Sequence, residues 1–152
     1  MLTVAGLLWV IGGLAAVAAA FSPAEPPPGL AAPPGVAREL NAVLALAVQR
    51  FEAKDTEGVL AYVSDRYRTG PFTRTVVREN LIAIYGIYET VRARVRIDDV
   101  RLVGEHAWVY STGEVSGRLP LLGSWVRFLS WTRELEVARR EAGGWRLFGY
   151  QQ

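Results

Sequence analysis

The sequence predicts an α+β domain, three helices followed by an antiparallel sheet, on three observations. Apolar residues recur with a helical period between about residues 36 and 90. The period drops to two after Thr90, and Gly104-Glu105 and residues 141–144 break the second half where strands would turn back. Helices first and a meander afterwards place the helices on one face of the sheet.

Residues 36–54, VARELNAVLALAVQRFEAK, set Leu40, Val43, Leu44, Ala47, Val48 and Phe51 on one helical face. Asp55 is placed to cap a second helix, TEGVLAYVS, and residues 64–72 read as a loop around Thr69-Gly70-Pro71. A third helix, roughly 74–90, carries Val77, Leu81, Ile84, Tyr85 and Tyr88 on one side, with Gly86 marking a close packing contact. In VRARVRI, Val91, Ala93, Val95 and Ile97 alternate with Arg92, Arg94 and Arg96, as in a strand with one face buried. A short extension VRLV follows Asp98-Asp99, then HAWVYSTGEVSG, a long strand over 124–139 and a closing strand WRLFGYQ.

Ahead of the domain, residues 2–21 carry no charge. Twenty residues at about 1.5 Å rise span about 30 Å, the thickness of a bilayer's hydrocarbon core, so residues 1–22 read as a membrane anchor. A cleavable signal peptide is the alternative, since Ala16-Val17-Ala18 and Ala18-Ala19-Ala20 offer the small residues a signal peptidase reads. Either puts the body outside the cytoplasm. Six prolines between Pro23 and Pro34 then forbid a regular helix, so residues 23–35 read as a polyproline II spacer holding a folded body, residues 36–152, off a membrane surface.

Composition removes several classes of chemistry. The absence of cysteine excludes disulfides, thiolate metal sites and a cysteine nucleophile. A single histidine, His106, excludes multi-histidine metal centres, and neither a Walker loop nor a G-x-S-x-G elbow occurs. Net charge is only +2 and the basic residues are dispersed, which argues against a nucleic-acid partner. No cofactor or metal is indicated.

The early helix ending in FEAKD, the following GVLAYVSDRY, the segment RIDDVRLVGEHAWV and the terminal GGWRLFGYQ resemble the NTF2-like superfamily, which includes nuclear transport factor 2, SnoaL-type cyclases and ketosteroid isomerase. The resemblance covers about 38–152. An apolar leader before such a domain is similar in layout to VirB8-like secretion components and to certain actinobacterial membrane-associated proteins. The resemblance implies a cone with a pocket between the sheet's concave face and the helices. It implies roles ranging from isomerase, dehydratase or cyclase chemistry to ligand binding and assembly, so fold alone does not choose among them.

Enzymes of that superfamily use an aspartate or histidine base beside a tyrosine. Asp65 with Tyr67, and His106, are the nearest matches here, although a capping aspartate, a packed tyrosine and a solvated imidazole explain them better. Tyr62, Tyr85, Tyr110, Trp131 and Phe148 are the candidates to line the pocket, with Trp131 and Trp145 also read as core. Asp98-Asp99 converges on one point only across a bulge. Arg92, Arg94 and Arg96 form an outer-face row that is a solvated surface, a homodimer interface, or a site for an anionic partner or lipid headgroups, and Glu134 and Glu136 are placed to pair across that outer face. The turn LPLLG puts Leu119, Leu121 and Leu122 where hairpin tips are usually polar. These leucines fold over the pocket mouth, or else meet a membrane or a protein partner. The leading expectation is a non-catalytic domain, tethered through residues 2–21 or exported, that holds a small apolar ligand or serves protein assembly. A small isomerase, dehydratase or cyclase is the alternative.

Overall fold

The computed structural model describes residues 29–151. Helix α1 (Pro34–Glu52) opens on a proline, whose missing N–H costs nothing in a first turn, and buries Leu40, Ala47 and Phe51. Helix α2 (Thr56–Leu60) is capped by Asp55, whose Oδ1 accepts from Gly58 N at 2.9 Å. It stops four residues short of the expected end because the chain turns to bridge Leu147: Leu147 N donates to Tyr62 O and Ser64 N donates to Leu147 O, both at 2.8 Å. The Arg74 guanidinium then donates to Leu60 O (3.1 Å) and Val63 O (3.3 Å), satisfying carbonyls that the short helix leaves open. Helix α3 (Arg74–Ile87) buries Val77, Leu81 and Ile84. Gly86 within it meets no neighbour that a β-carbon would crowd, so the close contact expected there is absent.

Strands β1 (Leu30–Ala31), β4 (Thr90–Val103), β5 (His106–Arg118), β6 (Trp125–Glu141) and β7 (Gly144–Leu147) form one antiparallel sheet in the order β1-β4-β5-β6-β7. A separate small hairpin pairs β2 (Arg68–Thr69) with β3 (Phe72–Thr73) across Gly70. Leu30 and Ala31, read from the sequence as spacer, instead add an edge to the sheet opposite Leu102 and Arg101. VRARVRI and VRLV are parts of one long strand.

Three register shifts interrupt this sheet, one between Val115 and Ser116 of β5 and two that flank Thr112. On β4 the pairing steps from Ile97 opposite Ser111 to Asp99 opposite Tyr110, leaving Asp98 as an extra residue. On β6 it steps from Trp131 opposite Gly113 to Glu134 opposite Ser111, and Arg133 takes a left-handed backbone with φ of 48°. Between them stands Thr112 of β5, whose hydroxyl donates to Asp98 Oδ2 (2.5 Å) and accepts from Arg133 N (3.0 Å). One side chain therefore ties both bulges on the convex side, where they increase the local bend.

The concave side holds two apolar clusters. The larger gathers Phe51, Val59, Leu60, Leu81, Val91, Val115 and Trp131; the smaller gathers Leu40, Val100, Ala107, Val109, Ala138 and Trp145. Gly113 and Gly117 let aromatic rings lie against the strand, since a β-carbon at either would overlap the Trp131 or the Tyr88 ring. No helix among the described residues is long and apolar enough to cross a membrane. The anchor read over 1–22 and the prolines before Gly29 lie outside the described residues.

Candidate functional site

A half-open cavity of about 60 Å³ lies where the two clusters meet. Leu40, Val43, Leu44 and Ala47 of α1 form one wall, and Val95, Ile97, Val109, Ser111, Glu136 and Ala138 of the sheet form the other. Tyr62, Trp145, Arg146 and Leu147 complete it. The lining is almost wholly apolar, and Glu136 is the carboxyl within it.

Glu136 is 6% exposed, and its Oε1 has no hydrogen-bond partner among the described residues. Burial, and secondarily the neighbouring Glu134 carboxylate, push its pKa well above the usual carboxylate range, which favours the protonated form. Glu134 is itself raised by partial burial. Tyr67 is a second buried polar group, 3% exposed, with no well-formed hydrogen bond to its hydroxyl. Burial first, and the charge Glu136 carries when ionised second, raise the pKa of the Tyr67 phenol, against an opposing contribution from Thr69. Ser111 Oγ is occupied, accepting from Trp131 Nε1 at 3.2 Å. A carboxyl among the lining residues of an apolar cavity is, when protonated, a hydrogen-bond donor and acceptor for one polar atom of an otherwise apolar guest.

Glu136 corrects the sequence reading. Alternation counted from Trp131 sends Glu134 and Glu136 to the outer face, but the extra residue at Arg133 reverses the parity of the strand and turns them toward the concave side. The available signal was Arg133 itself, which occupies the apolar register of Leu129, Trp131, Leu135 and Val137.

The expected site residues divide. Of the aromatic candidates, Tyr62 lines the cavity. Tyr85 instead donates its hydroxyl to Phe51 O at 3.0 Å and packs on the Phe51 ring. Tyr110 lies under the Arg133 guanidinium, and Phe148 packs against His106 and Arg139. Trp131 is core, while Trp145 both lines the cavity and donates to Glu39 Oε2 at 3.0 Å. Asp65 is 82% exposed and pairs with Arg74 at 3.5 Å. Neither Asp65 nor His106 lines the cavity. Asp98 and Asp99 do flank a bulge, where they receive Arg96 and Arg101 rather than a substrate.

Arg94 and Arg96 of the outer row reach Glu114 and Asp98, and Arg92 lies over the Trp125 ring at 4.2 Å. Leu121 and Leu122 do not fold over the pocket mouth: they are 105% and 76% exposed, because the turn projects them beyond the end of the sheet. Leu119, at the base of the same turn, is half-buried. No group of three or more metal-ligating side chains occurs among the described residues.

The fold is the NTF2-like cone. No family model matches the chain, and no curated protein matches it in sequence. Solved structures do. A protein of the NTF2-like family from Streptomyces avermitilis superimposes with a TM-score of 0.61 at 17% identity, over 78% of this chain and 95% of that one. A ketosteroid isomerase-like protein from Erwinia carotovora atroseptica gives 0.54 at 17% identity, over 74% and 90%. Aln2 from a Streptomyces species gives 0.62 at 14% identity, over 79% and 90%. Likeness at these identities extends to the fold and leaves function to the site itself.

Proposed function

We propose that the chain is a non-catalytic NTF2-like binding domain whose cone holds a small apolar molecule bearing one carbonyl or hydroxyl group. The observation that carries this reading is Glu136, a buried carboxyl with one unpaired oxygen, among the residues that line an apolar cavity. A buried polar atom left unpaired costs roughly 1–3 kcal/mol, which a guest's polar atom would recover. The cavity's 60 Å³ is under half the about 150 Å³ that admits benzene in a dry protein cavity, so the guest is small or extends out through the open side. Export or tethering through residues 2–21 is part of the same proposal, supported by the length and neutrality of that run.

A second reading has its own support. A carboxyl with a raised pKa in a dry pocket is also what proton-transfer catalysis requires, and Glu136 replaces Asp65 and His106 as the candidate acid or base.

Native mass spectrometry of the gently purified full chain, beside Glu136→Leu, tests the binding reading. A small molecule retained by the wild type and missing from the variant is the expected result. Equal retention by both would remove Glu136 as the recognition group.

A further inference from the structure

Four of the large apolar side chains exposed on the described surface fall within six residues, Leu121 and Leu122 in the turn between β5 and β6 and Trp125 and Val126 at the start of β6. The turn is built to hold them out. Leu119 N donates to Ser124 O (2.9 Å), Leu122 N to Pro120 O (2.7 Å) and Gly123 N to Leu119 O (3.1 Å), so its backbone is internally tied. Leu121 takes a left-handed conformation with φ of 65°, a region that leucine rarely adopts and that places its side chain wholly in solvent. An apolar tip held in a strained backbone is a display device rather than a slack loop.

Charge surrounds the base of this tip. Arg92, Ser116 and Arg127 are cross-strand neighbours, as are Arg118 and Trp125. Arg92 stacks on the Trp125 ring and makes no ion pair among the described residues. Arg118 is held only loosely by Glu89 at 3.8 Å, and Glu114 is shared between Arg127 (3.3 Å) and Arg94 (3.9 Å). Four guanidinium groups thus face two carboxylates at this end of the sheet.

We propose that the 119–126 tip inserts into an anionic lipid surface: Leu121 and Leu122 enter the acyl boundary, Trp125 lies at headgroup depth, and Arg92, Arg118 and Arg127 meet lipid phosphates. Leucines beyond a tryptophan beyond a basic ring is the order in which a bilayer changes from hydrocarbon to charge. A protein partner fits less well. Two protruding leucines and a partly covered tryptophan fall far short of the roughly 800 Å² per partner that stable interfaces bury. The tip lies at the far end of the sheet from Leu30, because Arg118 pairs with Thr90 while Leu30 pairs with Leu102.

The chain has no cysteine, so a single Leu122→Cys substitution carries a fluorophore to the tip alone, with Ala83→Cys on the exposed side of α3 as the control. The labelled full chain is mixed with vesicles of phosphatidylcholine, with or without phosphatidylglycerol, containing lipids brominated on their acyl chains. The proposal expects quenching of the Leu122 label by about twofold or more on the anionic vesicles, little on the neutral ones, reversal of that difference by salt, and an unquenched Ala83 label. A Leu122 label that stays in water on anionic vesicles overturns it. Equal quenching on both vesicles overturns the recognition of anionic lipid. A blue shift without lipid that grows with protein concentration assigns the tip to a second copy of the chain and overturns it as well.

Discussion

Glu136 is a residue whose environment contradicts its chemistry. It lines an apolar cavity with one oxygen unpaired, and burial raises its pKa because ionisation there would be costly. Replacing it by leucine removes the unpaired atom while keeping much of the volume, so Glu136→Leu is expected to stabilise the fold by about 1–3 kcal/mol in denaturant unfolding. A group whose folded-state pKa is raised binds its proton more tightly in the native state. Its contribution to stability is complete below the usual value of 4.5 and is lost as pH rises from there toward the folded pKa. Glu134 adds a loss of the same sign. Asp98 acts oppositely: its pKa is lowered, chiefly by the Thr112 hydrogen bond, so its contribution is present above 3.8 and is lost as pH falls through the folded value. Stability should therefore decline above about pH 4.5, with Glu136 contributing up to about 1.4 kcal/mol per pH unit. In Glu136→Gln that descending limb is expected to flatten, as read from unfolding midpoints across pH. A limb unchanged in the glutamine variant would mean that Glu136 is ionised in the fold.

Among the elements, the paired bulges govern what the cone can hold. Thr112 ties Asp98 to Arg133, and Arg133's left-handed turn brings Glu136 inward. Thr112→Val keeps the shape of the side chain and deletes both hydrogen bonds, so it should cost about 1–3 kcal/mol. Because register and pocket are linked, it should also weaken ligand binding without touching the cavity; a fully stable variant with normal binding would show that the bulges hold without their tie. The helices and most of β4 and β5 were legible in the sequence, because period and burial agree there: Val77, Leu81 and Ile84 face the core as their spacing predicts. The candidate site was not. A bulge adds one residue without a compositional mark, and from that point every inward and outward assignment on β6 is exchanged. Tyr85, Tyr110 and Phe148 were equally hard to place, since an aromatic ring suits a pocket, a core or an outer face next to arginine. The edge strand at Leu30–Ala31 was hidden because proline-rich sequence and an edge strand share the same extended backbone.

For the molecule as a whole, helices laid across a sheet bent at Thr112 enclose a small apolar cavity on the concave side. The same bend leaves a leucine-bearing tip at one end. The order of elements anticipated the cone, and the likeness to solved NTF2-like structures at 14% to 17% identity extends to the fold alone. The central claim is that this cavity binds an apolar molecule through the neutral Glu136 carboxyl. Methyl NMR of the full chain, titrated with cyclopentanone and with cyclopentane, tests it most directly. The account predicts shifts at Val43, Leu44, Val109 and Ala138, with the ketone bound about tenfold more tightly than the hydrocarbon, as one recovered hydrogen bond of about 1.4 kcal/mol would give, and with that preference lost in Glu136→Leu. Equal affinity for the two molecules in the wild type, or no shift at those four residues with either, would contradict it.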